Sequence, residues 1–238
     1  MNWFLWAATS AVFYSLTDIS CKKSLGEGVK PRFLSWYLML SGAVVAIASY
    51  APAFIDCGMP QVGRAFWVIV FVTASVNTVS SLAIMEAFSR VKLSILAPLA
   101  ILTPMFTAML SPIFLGERFT LIGVLGITGI LAGTYFLNST ELKKGLLAPI
   151  VAFWNTPGIS LVLITIPCGV AAALLDPVGV RTSSAEFYIA TKFTVLTFMM
   201  IPAGIIGWRR STFTNKALAF LFFVFISTKL KTSTYVKM

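Results

Sequence analysis

VKLSILAPLAILTPMFTAMLSPIFLGER, Val91 to Arg118, is the stretch that decides the fold class. No charged residue stands between Lys92 and Glu117, and a helix of about 20 apolar residues is long enough to cross the hydrocarbon of a bilayer. Pro98, Pro104 and Pro112 interrupt it. Each removes a backbone donor and clashes with the preceding turn, so kinks or local unwinding are expected. Irregular backbone at membrane depth is tolerated only where protein or a watery cavity covers it. Thr103, Thr107 and Ser111 recur every fourth residue and form one polar stripe. They are either the wall of a solute path or hydroxyls bonded to carbonyls freed by the prolines or to a neighbouring helix.

The rest of the chain has the same character. Of its 238 residues, 58% are hydrophobic and 11% charged, against about 25% charged in a soluble domain. The apolar runs are continuous rather than alternating, which excludes a β-barrel and predicts an all-α, polytopic membrane helix bundle. Spans are expected at about 3–21, 33–54, 65–88, 93–115, 119–137, 159–176 and 187–207. A weaker eighth runs from Ala217 to Ile226 and as a helix rises only about 15 Å. Leu146–Trp154 reads as an interfacial segment or an early start to the sixth span. Met1-Asn2 leads into Trp3 with no basic region before the first run, so that run is expected to be a retained span rather than a cleaved signal peptide.

The net charge of +10 does not point to nucleic acid. The basic residues stand between apolar runs and show no basic face with interleaved aromatics. Alternate loops hold Lys22, Lys23, Lys30, Arg32, Arg90, Lys92, Lys143, Lys144, Arg209, Arg210 and Lys216, while the opposite loops hold Arg64, Arg118 and Arg181, with Lys192 just inside span seven near that same side. The positive-inside rule then puts the N-terminus outside the cytoplasm, in what is expected to be the plasma (inner) membrane. Histidine is absent, carboxylates are unpaired, and Cys21, Cys57 and Cys168 lack metal-ligand spacing. No catalytic residue, metal site or cofactor is therefore expected, and the cysteines read as small apolar filler.

Polar side chains inside the spans are the candidate solute contacts. Span three carries Thr73, Asn77, Ser80 and Ser81 on one face. The Asn77 amide must find partners, either as interhelical glue or as a hydrogen-bonder to solute. Span one carries Tyr14 and Asp18 on one face. An intramembrane acid suggests proton coupling, and Asp18 also precedes Lys22 by the four residues of a helical ion pair. Asp176 precedes Pro177 at what reads as a helix end. Glu86 stands one turn before Arg90, as an interfacial ion pair would. Gly123, Gly126, Gly129 and Gly133 share one side of span five and predict close helix packing. A faint repeat joins the end of span one, Asp18 to Lys23, with the end of span six, Asp176 to Arg181. An offset of five spans makes the second copy inverted.

Ala87, Lys92, Ala97-Pro98, Pro104, the Gly116-Glu117-Arg118 exit and the glycine-rich fifth span together resemble the EamA-type domain of the drug/metabolite transporter superfamily. The resemblance covers Trp3 to Leu137 well and Gly158 to Trp208 more loosely. It implies two inverted five-helix repeats around a central cavity, and a capping role for Glu117 at the turn into span five. Residues 1–138 would be the first repeat and 145–238 an incomplete second one, as in a truncated product. The expected function is a secondary transporter of a small organic solute, or its truncated remnant, with Asn77, Ser81, Thr103 and Thr107 lining the cavity and Tyr14 and Asp18 at its mouth. The alternative is a non-transporting scaffold or a subunit that completes its bundle with another membrane chain or a second copy of itself. Lipid bilayer and solute are the expected partners.

Overall fold

The computed structural model describes residues 3–91, 96, 102–116, 121, 123–126, 128–129, 158–222 and 224–225, with the backbone alone at 3–7, 56 and 57. Seven helices carry the argument: α1 Trp3–Gly26, α2 Pro31–Cys57, α3 Arg64–Arg90, α4 Leu102–Leu115, α5 Ile159–Arg181, α6 Ala185–Met199 and α7 Ile201–Arg210. Pro98, Glu117, Gly133, Leu146–Trp154 and the basic tail lie outside the described residues.

Local chemistry sets the helix ends. Pro31 opens α2 at the position where its missing N–H costs nothing. Gly58, at φ 71°, ends α2 and donates its N–H to the Phe54 carbonyl. Ser184 caps α6 by accepting from the Phe187 N–H at 3.3 Å.

Two expected spans behave differently. The run 187–207 is not one straight helix: α6 and α7 meet at Met200 with a bend of 55°. Pro202 lacks the N–H that would bond to the Phe198 carbonyl, and its ring crowds the turn before it, so the helix stops and restarts. The sixth span does not end at Asp176. It runs through Pro177 to Arg181, where Thr182 closes it by donating its N–H and its hydroxyl to the Gly179 carbonyl. One hydrogen bond lost at Pro177, in the last turns of a helix packed along α3, does not break it.

Among the described residues three helices, Pro31–Ile55, Arg64–Arg90 and Ile159–Arg181, are long and apolar enough to cross a membrane, and the bent pair α6–α7, taken as one span, makes a fourth. The outer surface suits lipid: Ile55, Phe71, Ile113, Phe114, Phe198 and Phe222 are all exposed. Such a surface is incompatible with water. The chain is an integral, multi-pass membrane protein.

The helix ends sort by charge. At one end the turn after α1 meets the segment after α7: Thr212 donates to the Gly28 carbonyl at 3.3 Å, and the Lys30 N–H donates to Ser211 at 2.9 Å. Gly158, before α5, lies against Arg90 and Val91 there. Lys22, Lys23, Lys30, Arg32, Arg90, Arg209, Arg210 and Lys216 belong to this end, and Glu86 pairs with Arg90 as expected, at 2.5 Å. Arg64 and Arg181 belong to the other. Helix α1 therefore finishes at the basic end and α5 at the opposite one.

The main core lies toward the basic end, around Cys21, Phe33, Leu34, Met85, Phe88 and Ile159. Cys21 is fully buried there. Close helix approach occurs at glycines other than those expected. A Cβ on Gly42 would sit 2.8 Å from the Phe193 ring, one on Gly204 2.6 Å from the Trp36 ring, and one on Gly207 2.3 Å from the Phe33 backbone. At Gly126 and Gly129 it would meet open space. Those two glycines do not pack against the described bundle.

Candidate functional site

A cavity of about 280 Å³ lies between α1, α2, α3 and α6. Its polar lining is Tyr14, Thr17 and Asp18 from α1, Asn77, Ser80 and Ser81 from α3, and Lys192 from α6. A second cavity, of about 500 Å³, lies on the other side of Tyr14, Asp18 and Ser80. It reaches Thr103 and Pro104 of α4 and Thr165 and Gly169 of α5. The cavities share Tyr14 and Asp18 of α1 and Ser80, Ile84 and Phe88 of α3, so they adjoin along these two helices.

The structure thus brings Tyr14, Asp18, Asn77, Ser81 and Thr103 to one region. Thr107 is not among them. Its hydroxyl donates to the Thr103 carbonyl of its own helix at 2.9 Å, and it lines neither cavity. Ser111 donates to the Ala108 carbonyl at 3.3 Å, the acceptor that Pro112 leaves without its N–H. Of the two readings of the α4 stripe, bonding to the backbone describes Thr107 and Ser111.

The α3 face is put together differently. Thr73 is fully buried, bonds to the Ile69 carbonyl at 2.8 Å and lies 3.2 Å from the Tyr188 hydroxyl. Ser81 shares a 2.7 Å hydrogen bond with Ser35 of α2 and still borders the cavity. Asn77 donates Nδ2 to the Thr73 carbonyl at 2.8 Å. Among the described residues nothing donates to its Oδ1, which leaves an acceptor at the cavity wall. Asn77 is therefore not interhelical glue within the described bundle.

Lys22 does not serve only as an interfacial anchor. Its ammonium donates to the Phe88 carbonyl and, at 2.8 Å, to the Val91 carbonyl, two acceptors orphaned at the end of α3. A cation at a helix C-terminus is stabilising, and this one ties α1 to α3 beside the cavity.

The residue that reading the sequence missed is Lys192. It donates to both carboxylate oxygens of Asp176, at 2.8 and 2.7 Å, and stands 5.8 Å from the centre of the Tyr188 ring. Tyr188 donates its hydroxyl to Asp176 at 2.7 Å. Gly179 makes this geometry possible, because a Cβ there would lie 2.2 Å from the Tyr188 ring. The Lys192 side chain is 14% exposed and that of Asp176 35%. A buried ammonium needs a partner, and a lone base inside an apolar run was the signal available in the sequence.

Comparison with known proteins agrees with this architecture. Over 138 residues, 58% of this chain, the sequence is 28% identical to the glucose-6-phosphate/phosphate translocator 2, chloroplastic, of Arabidopsis thaliana, and it spans 34% of that relative's length. Residues 1–139 match the EamA-like transporter family. That stretch carries α1 to α4 and the Tyr14, Asp18, Asn77 and Thr103 side of the cavity, and the chain belongs to the EamA-like transporter family.

Proposed function

We propose that this chain is a secondary transporter that carries a small organic solute across the plasma (inner) membrane by alternating access. The observation that carries the reading is the polar cavity between α1, α2, α3 and α6, with Asn77, Ser80, Ser81, Asp18 and Lys192 set between apolar helices. Polar and ionisable side chains are costly there and face a pathway or one another. Family membership and the translocator relative support the same reading. Residues 1–138 would form one five-helix repeat and 145–238 helices of a second, inverted one. In favour of that division, Asp18 and Asp176 lie near the ends of α1 and α5, which finish on opposite sides of the bundle. The basic end would face the cytoplasm.

The test is solute uptake into vesicles by the wild type and by Asp18→Asn. Lys22 on the same helix and Lys192 across the cavity are the other charged groups near Asp18 among the described residues. If Asp18 couples proton flow to solute movement, Asp18→Asn transports without pH dependence. Full pH dependence in that variant removes Asp18 from the coupling role.

A second reading, a subunit that completes its bundle with another chain or a second copy, draws on one observation. An apolar groove of about 600 Å³ lies between α4 and α5, with Phe106, Phe114, Ile166 and Leu174 among its lining. Crosslinking in the native membrane separates the readings: a strictly monomeric chain that transports excludes the second.

A further inference from the structure

We propose that the cavity takes an organic anion, and that the carboxylate or phosphate group of this solute displaces Asp176 as the partner of Lys192. The proposal rests on the transporter reading above and names the class of solute. Lys192 lines the 280 Å³ cavity and forms an ion pair with Asp176. Its Nζ reaches both oxygens of Asp176, and an ammonium has three donors, so a second oxygen acid can engage it before the first has left.

The pair is asymmetric. The Asp176 side chain is 35% exposed and keeps the Tyr188 hydroxyl at 2.7 Å when Lys192 turns away. The Lys192 side chain is 14% exposed, and it faces the Tyr188 ring and a cavity whose lining also holds Asp18 and Asn77. An anion in the cavity is therefore the natural replacement for Asp176. The eight basic side chains at the end of the bundle toward Phe88 add a field that concentrates anions there.

The exchange also has a mechanical consequence. The Asp176–Lys192 pair ties α5 to α6, while Tyr188 and Thr73 tie α6 to α3. Solute that takes over Lys192 loosens the first tie and leaves the second. It thereby binds one arrangement of α5 and α6 better than the other, which is what a solute must do to shift a conformational equilibrium. Asp176 is a positioning residue and an internal competitor; Lys192 is the group that contacts the solute.

The experiment measures binding to the purified full chain in detergent by calorimetry and thermal shift. The probes are glucose 6-phosphate, inorganic phosphate, citrate, neutral glucose and cationic choline. At least one anion is expected to bind the wild type, and glucose and choline are not. Asp176→Asn should bind the same anion about tenfold more tightly, because an internal competitor is gone. Lys192→Gln should lose at least about tenfold in affinity, the loss of a charge-assisted contact. Because either single change leaves one buried partner alone, the swap Asp176→Lys/Lys192→Asp is the control: it keeps the pair and the fold, moves the ammonium off the cavity wall and should abolish anion binding. Asp176→Asn that binds no more tightly, or a swapped protein that binds like the wild type, overturns the proposal. A wild type that takes none of the anions overturns it too. Uptake of any solute by the same preparation in vesicles then shows whether the transporter reading stands without it.

Discussion

Helices α3 and α4 carry the same kind of side chains, threonine and serine set into an apolar helix, and differ in what those side chains meet beyond their own backbone. On α4, Thr107 and Ser111 return their hydroxyls to their own backbone. On α3, Thr73 reaches toward Tyr188, Ser81 joins Ser35 of α2, and Asn77 and Ser80 border the cavity. A hydroxyl in a membrane helix is thus ambiguous by itself. What separates the two helices is the neighbour each faces. Helix α3 lies among α2, α5 and α6, whereas α4 touches α5 and shows Phe106, Ile113 and Phe114 to lipid.

The largest effect that could break this contrast is at Asp176. Asp176→Ala strands the ammonium of Lys192 and should cost about 3 kcal/mol, read as a lower denaturant midpoint in detergent. A cost below that of an exposed polar change would mean that the pair does not anchor α5 to α6. Next comes Gly179→Ala, whose new Cβ overlaps the Tyr188 ring. Overpacking of this kind should cost about 2 kcal/mol and weaken anion binding as Tyr188 shifts from Asp176. Ser81→Ala removes the partner of a fully buried Ser35 hydroxyl and should cost about 1 kcal/mol. Smallest is Thr107→Ala, expected within about 0.5 kcal/mol of wild type and with unchanged uptake. If Thr107→Ala proved as damaging as Ser81→Ala, the distinction between the two helices would be lost.

Much of the fold was legible in the sequence because membrane helices announce themselves by unbroken apolar length. The α2 and α3 spans, the sorting of charge between the two ends and the Glu86–Arg90 pair followed from spacing alone. The break at Met200 did not, although Pro202 was in view, because a proline near the middle of a long apolar run can either kink a helix or end it. The site was half legible. Asn77, Ser81, Tyr14 and Asp18 stood out as polar residues on helix faces that had to meet something. Thr107 stood out for the same reason and, among the described residues, bonds to its own backbone. Lys192 was passed over because a base near a span end reads as an orientation signal. Asp176 was discounted because Pro177 reads as a helix stop. Their pairing joins residues on two helices, and single-helix periodicity carries no information about that.

The central claim is that water and solute reach the α3 face and not Thr107 and Ser111 of the α4 stripe. The most direct measurement is labelling of single cysteines, placed in a background with Cys21, Cys57 and Cys168 replaced, by a membrane-impermeant thiol reagent applied to cells and to inverted vesicles. Ser80→Cys should react from at least one side and be protected by a bound solute, while Thr107→Cys should stay unreactive from both. Rapid labelling at Thr107→Cys with none at Ser80→Cys would contradict the account.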